Sequence, residues 1–514
     1  MSSDKDNFHQ TISRNITASL LSNILYLATR LCIPPFILSY VSLAEYGLWA
    51  YCFILLGYLG MSVFGITNVY VRYAAVYVTK GDIQSVNRLI STGVFTVAGL
   101  CLFILPLVWF GLPAFFSLFH ITDEYKHTAF VLLFGTTIIF MSDLTIGVFG
   151  YILQSLQKIV TEKTIWTISY LLETFFIVLL LIQGFGIYSL LWAFAIRTAT
   201  ATILYAIACK RYLPNLTLSP KLFDNEMLKL FLNFGGIVQL SGLIGILNRS
   251  IEKVMAGLFI GLEATGLYEV GEKFPVMSLM LPGSVNAVYL PTASHFHAQE
   301  DTESIRKIYL DGSRLINMLT GMMMGFMMAF ATPLIFIWLG KKPEYALAAN
   351  ILMWFTIPYQ MDVVTGPASA IYRSIGEPKR ELFYSVSQLA LVIALACFTF
   401  YWWGASILTI NFTVASMMIL SSILYLFKSN RFLKVSHFDF FKNVLIPGFI
   451  PYAFAFFIAF LASSTLQEYS NDRWTSLYIF AFCLLAYLAI TCPFIYLAIC
   501  TPKERSDIRK AIGF

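Results

Sequence analysis

Arg30 and Arg249 each lie inside a stretch otherwise apolar enough to cross a bilayer, and they stand 219 positions apart in a chain that repeats itself at that spacing. A charge at the bilayer centre costs at least ~2.5–3.5 kcal/mol even on lenient insertion scales, so such a residue normally faces a polar cavity or a partner. Arginine keeps its proton there and forks onto phosphate or carboxylate oxygens. The chemistry offered is therefore recognition of an anion. Three more bases sit at or near membrane depth: Lys273, Arg72 and Arg197. Each has a structural alternative. Arg249 has Glu252 three residues on, Lys273 has Glu269 at helical i,i+4 spacing, and Arg72 is close enough to the inner surface to snorkel. The acids at comparable depth are Asp143, Glu173, Glu269, Glu272 and Asp362, with Glu45 and Glu252 nearer the outer surface. A desolvated carboxyl favours its protonated form, so Asp143, Glu173, Glu269 and Asp362 are candidates either for taking up a coupling ion, Na⁺ or H⁺, or for pairing with the bases.

The repeat places these charges. Sliding residues 21–93 along by 219 brings Leu43, Gly47 and Leu48 onto Leu262, Gly266 and Leu267, and Val69-Tyr70 onto Val288-Tyr289. Ala74, Asp82, Ser85 and Gly93 land on Ala293, Asp301, Ser304 and Gly312. A duplicated membrane unit with a cation in each copy is the plan of a transporter with a polar path. If the copies face each other, Arg30 and Arg249 line one central cavity from opposite walls.

Composition requires a membrane. A hydrophobic fraction of 58%, 12% charged residues and a mean hydropathy of +0.74 exceed what a soluble domain hides. The apolar runs are too continuous for the alternation of a membrane barrel, so the fold class expected is all-α. Their punctuation predicts about 14 transmembrane helices, as two pseudo-symmetric six-helix lobes, 1–215 and 216–430, plus a helix pair and cytoplasmic tail at 431–514. Lys and Arg crowd one set of loops, while the other holds only Lys126, Lys253, Lys341, Lys342 and Arg473. By the positive-inside rule both termini are cytoplasmic. The net charge of +6 thus reflects topology, and no nucleic-acid partner is expected.

Several chemistries lack their signature. The eight cysteines form no C-x-x-C pair, and His295-x-His297 lacks the companions of a zinc site, so no metal site is expected. There is no Walker A loop, dinucleotide fingerprint or nucleophile elbow. No cofactor and no enzymatic step are expected.

The chain resembles the Wzx-like oligosaccharide flippases, the polysaccharide transporters of the multidrug/oligosaccharidyl-lipid/polysaccharide (MOP) exporter superfamily. The resemblance is carried by Leu43-x-x-x-Gly47-Leu48-Trp49 leading to Val71-Arg72-Tyr73, and by Gly150-Tyr-Ile-Leu-Gln154. It continues through Phe234-Gly-Gly, Asn248-Arg249-Ser-Ile-Glu252-Lys253, Gly266-Leu-Tyr268, Ile337-Trp-Leu-Gly340 and Gly376-Glu-Pro-Lys379. Glu252 stands where many members carry Asp. The resemblance implies a bacterial inner-membrane flippase, working as a monomer, that moves undecaprenyl-pyrophosphate-linked sugar units by alternating access through a cationic cavity. Surface polysaccharides such as the lipopolysaccharide O-antigen are built from such units. Its partners would be membrane lipids, the lipid-linked oligosaccharide and polysaccharide assembly proteins. Arg30, Arg249, Lys273 and Arg72 would bind the anionic headgroup. Two other functions compete: a cation-coupled multidrug exporter of the same superfamily, expected to have twelve helices and an acid-dominated pocket, and a membrane polysaccharide polymerase or ligase, which would need a sizeable outer loop.

Overall fold

The computed structural model describes the backbone of residues 2–60, 66–233, 236–468, 472–499 and 505. The basic tail positions Lys503, Arg509 and Lys510 lie outside the described residues. The first half runs α1 (Ser2–Ile37), α2 (Leu43–Gly60), α3 (Ile66–Thr79), α4 (Ile83–Leu118), α5 (Asp123–Ile146), α6 (Val148–Ser155), α7 (Ile159–Ile182), α8 (Tyr188–Tyr212) and α9 (Asn225–Asn233). The second runs α10 (Gly236–Phe259), α11 (Leu262–Gly271), α12 (Lys273–Ser278), α13 (Met280–Ala298), α14 (Thr302–Ala329), α15 (Ala331–Leu339), α16 (Tyr345–Val364) and α17 (Gly366–Ser374). It closes with α18 (Lys379–Trp403), α19 (Ile407–Phe432), α20 (His437–Phe440), α21 (Ile446–Glu468) and α22 (Arg473–Phe494). Among the described residues there is no strand.

By contacts the chain divides into two compact units: residues 1–250 with 257–266, and residues 251–256 with 267–514. In unit 1, α7 packs on α1 and α8, and α5 on α2, α4 and α8. Its main core gathers Val69, Leu89, Ile152, Leu153 and Cys209, all fully buried. In unit 2, α14 packs on α16 and α21, and α19 on α16 and α18, around Tyr309, Val364, Ala368 and Ile371. Many large apolar side chains point outward, among them Leu102, Phe110, Tyr401, Phe460 and Phe482. Water would penalise that surface, whereas hydrocarbon would not.

Repeat-related positions do the same local work. Asp82 caps α4 by accepting from the Ser85 amide at 2.9 Å, and Asp301 caps α14 by accepting from the Ser304 amide at 2.9 Å. Both caps lie at the solvent-exposed ends of their helices, and the bonds from Ser85 and Ser304 hold each carboxyl below its ordinary value. A Cβ on Gly93 would strike the Tyr70 hydroxyl, and one on Gly312 would strike the Tyr289 ring, so each glycine admits a tyrosine from the preceding helix of its copy. Gly47 and Gly266 contact reciprocally: a Cβ on Gly47 would meet the Leu262 carbonyl, and one on Gly266 the Leu43 carbonyl. Here i touches the mate of j and j the mate of i, the pattern of a pseudo-two-fold contact.

Ten helices among the described residues are long and apolar enough to span a membrane, or eleven if α14 and α15, bent by 74°, form one span. That count does not itself give fourteen spans among the described residues: α10 carries Arg249, Glu252 and Lys253, the segment 262–298 is broken into α11, α12 and α13, and α16 carries Asn350, Gln360 and Asp362.

Candidate functional site

Two charge clusters are buried in the helices, one in each unit. In unit 1, α1, α7 and α8 bring Arg30, Glu173 and Arg197 together. Arg30 Nη2 donates to Glu173 Oε2 at 2.8 Å, and Arg197 Nε lies 3.8 Å from Glu173 Oε1. Glu173 is buried, whereas the Arg30 side chain keeps a quarter of its surface exposed. Aromatic faces complete the enclosure. The Arg30 guanidinium carbon lies 5.2 Å from the Tyr26 ring centre and 5.1 Å from that of Tyr170, and Arg197 lies 4.8 Å from Tyr170 and 4.7 Å from Phe194. Such faces stabilise a desolvated cation without neutralising it. Two guanidiniums on one carboxylate leave one positive charge in excess, with unused N–H donors in Arg30's planar fork. Asp143 is further off and feels Arg197 electrostatically, so its ionisation sets whether the wider group is neutral or cationic.

In unit 2, α10 and α11 supply the opposite balance. Lys253 Nζ is 2.7 Å from Glu269 Oε2 and 3.7 Å from Glu272 Oε2, and Lys273 Nζ is 2.7 Å from Glu269 Oε1. Glu252 and Glu272 are both 1% exposed. Tyr359 donates to Glu272, at 3.3 Å. Three carboxyls and two ammoniums are therefore neutral only when the group holds one further positive charge. Glu252 Oε1 and Glu272 Oε1 are buried without a hydrogen-bond partner, an expensive arrangement unless that position serves something.

The sequence candidates are distributed unevenly over these clusters. Arg30, Glu173 and Arg197 meet, and Lys273 meets Glu269. Arg249 is exposed, whereas Glu252, three residues on, is buried. Lys253, counted above with the outer loops, sits inside α10 with its side chain 15% exposed. Arg72 is exposed beside Tyr73, its guanidinium carbon 5.5 Å from that ring. Asp362 accepts from Tyr384 at 2.8 Å, and Tyr384 in turn pairs with Ser422 at 3.0 Å. Sequence reasoning missed the aromatic walls and the burial of Glu252 and Glu272. Tyr26 stands one helical turn before Arg30 and Tyr170 three residues before Glu173, so spacing held the first signal.

The family model for "Polysaccharide biosynthesis protein" matches residues 41–346. Membrane protein EpsK of Bacillus subtilis (strain 168) is 21% identical over 394 residues, 76% of this chain and 76% of EpsK. The teichuronic acid biosynthesis protein TuaB of the same organism is 22% identical over 250 residues, 48% of this chain and 50% of TuaB. In fold the chain is similar to the lipid II flippase MurJ in an inward closed conformation, with a TM-score of 0.65 at 15% identity over 94% of this chain and 98% of MurJ. It is also similar to an inward-facing multidrug resistance MATE family transporter of the MOP superfamily, with a TM-score of 0.65 at 14% identity over 82% of this chain and 98% of that one.

Proposed function

The chain belongs to the polysaccharide biosynthesis protein family, and on that premise we propose that it is a multi-pass membrane transporter of the MOP superfamily that flips a lipid-linked oligosaccharide. The cargo would be an isoprenyl-pyrophosphate-linked sugar unit moved from the cytoplasmic to the outer leaflet of a bacterial inner membrane by alternating access through a cationic cavity, with both termini cytoplasmic. The observation that carries this proposal is the excess positive charge of Arg30, Glu173 and Arg197. A pyrophosphate supplies the missing anion, and Arg30's partly exposed fork is the group to meet it. Arg249 and Arg72, both exposed, are assigned as further headgroup contacts. Lys273, held by Glu269, would contribute through charge balance.

Two features of unit 2 support the proposal. An entirely apolar groove of about 550 Å³, walled by Ile357, Met361, Ile419, Phe441, Leu445 and Phe449, suits a segment of isoprenoid chain. The group of Glu252, Glu269 and Glu272 needs a monovalent cation beyond its two lysines for neutrality, so H⁺ or Na⁺ can act there as the coupling ion. Asp143 is a second candidate, because protonating it would unmask the positive charge of unit 1. That acid excess in unit 2 also favours the competing cation-coupled drug exporter. The test is export of surface polysaccharide in a host lacking its own flippase, with membrane levels checked by immunoblot. Arg30→Ala should abolish export and Arg30→Lys restore it partly. Full export by Arg30→Ala, or resistance to a cationic dye without export, would favour the drug exporter.

A further inference from the structure

Where α15 turns into α16, the chain passes through Gly340-Lys341-Lys342-Pro343. Gly340 has φ +94°, a left-handed conformation that residues with a Cβ avoid, so the last turn of α15 stops sharply and both lysines are exposed. Beneath them lies a cavity of about 640 Å³, walled by Pro333, Ile335, Phe336, Ala346 and Ala349, with Ser476 of α22 at its side. Its walls are almost wholly apolar and the two lysines stand on its rim. The volume falls within the ~300–1,000 Å³ typical of small-molecule sites.

The surroundings place this cavity at a membrane–water interface. Arg473 of α22 donates through Nε to the Ile337 carbonyl and through Nη2 to the Trp338 carbonyl, both at 2.6 Å, closing the carbonyl end of α15. Trp474 and Tyr478 of α22 are 69% and 73% exposed. Basic residues beside exposed Trp and Tyr form the band that settles at lipid headgroups. Glu344, next along the chain, is exposed and is not one of the wall residues. The charge facing the cavity mouth is thus positive.

We infer that this cavity binds an anionic glycerophospholipid, with an acyl chain against Phe336 and Ala349 and the phosphate at Lys341 and Lys342. A phosphate with a net negative charge is favoured over a zwitterionic headgroup because the rim offers two positive charges. None of the charge-cluster residues is among its wall residues, so the assignment of a resident lipid does not rest on what the protein transports.

The test is native mass spectrometry of the delipidated full chain, titrated with phosphatidylglycerol, phosphatidylcholine of matched chains, or inorganic phosphate alone. Phosphatidylglycerol should be retained on the order of tenfold better than phosphatidylcholine, and Lys341→Gln/Lys342→Gln should remove that preference, the size expected for two surface cations acting on an anionic lipid. Ala346→Trp, at an exposed wall position, should displace both lipids. Equal retention of the two lipids, an unchanged preference in the double lysine variant, or saturation by inorganic phosphate alone would overturn the assignment.

Discussion

In unit 1 two arginines converge on one glutamate between aromatic rings, while in unit 2 two lysines meet Glu269 and Glu272 with Glu252 buried beside Lys253 in the chain. The helix caps and close glycine contacts are alike in both copies. Positions 33, 34, 50, 53 and 54 of the first copy are Ile, Pro, Ala, Phe and Ile, and their mates in the second are Glu252, Lys253, Glu269, Glu272 and Lys273. In the same way Tyr26, which stacks on Arg30, is matched by Gly245. Duplication therefore kept the caps and close contacts that fix helix geometry and let the membrane-embedded chemistry diverge in sign. One unit is suited to an anion and the other to a cation, which is the division of labour the proposed ion-coupled flipping would require.

The largest expected effect comes from removing the single acid of unit 1. Glu173→Leu leaves two guanidiniums repelling each other beside aromatic rings. Breaking a buried pair typically costs ~3–5 kcal/mol, and the partial exposure of Arg30 should reduce this to about 2–3 kcal/mol. Thermal unfolding in detergent would register it, and a Glu173→Leu protein as stable as wild type would mean that the arginines are held by something else. Smaller in stability but decisive for the contrast is Glu272→Gln, which removes one carboxylate charge while keeping the side chain's shape. It should fold normally while transport loses its response to the ion gradient. Retained gradient dependence in vesicles would move the coupling site away from unit 2.

The scaffold can be tested in both copies at once. Gly93→Ala and Gly312→Ala each push a methyl against a tyrosine, a packing conflict of about 1–3 kcal/mol, and the two variants should lose similar amounts. Very unequal losses would argue that the copies no longer share this contact. The smallest effect belongs to Asp82→Asn and Asp301→Asn. Each cap carboxyl is held below its ordinary value, so its contribution is complete above the unfolded-state value of about 4 and fades as pH falls through the depressed one. Wild type should unfold slightly later than either variant at neutral pH, and the difference should close in acid. A gap that persists at low pH would show that the carboxylate charge is not what the cap supplies.

Much of this was legible before any coordinates. The helical membrane class followed from composition, and the Asp82/Asp301 and Gly93/Gly312 pairs followed from a single offset, because caps and close contacts depend on local residue type. The charge partners were harder. Glu173 reaches Arg30 across 143 positions, a separation at which no local spacing rule applies. Repeat logic did not foretell the different surroundings of the two mates: Arg30 is enclosed by Glu173, Tyr26 and Tyr170, whereas Arg249 is exposed.

The most direct test measures binding of an isoprenyl-pyrophosphate-linked disaccharide to the purified protein, comparing Arg30→Ala with Glu272→Gln. The division of labour predicts at least a tenfold weaker Kd for Arg30→Ala, the scale of a lost charge-assisted hydrogen bond, with Glu272→Gln close to wild type. An unchanged Kd in Arg30→Ala, or an equal loss in Glu272→Gln, would contradict it.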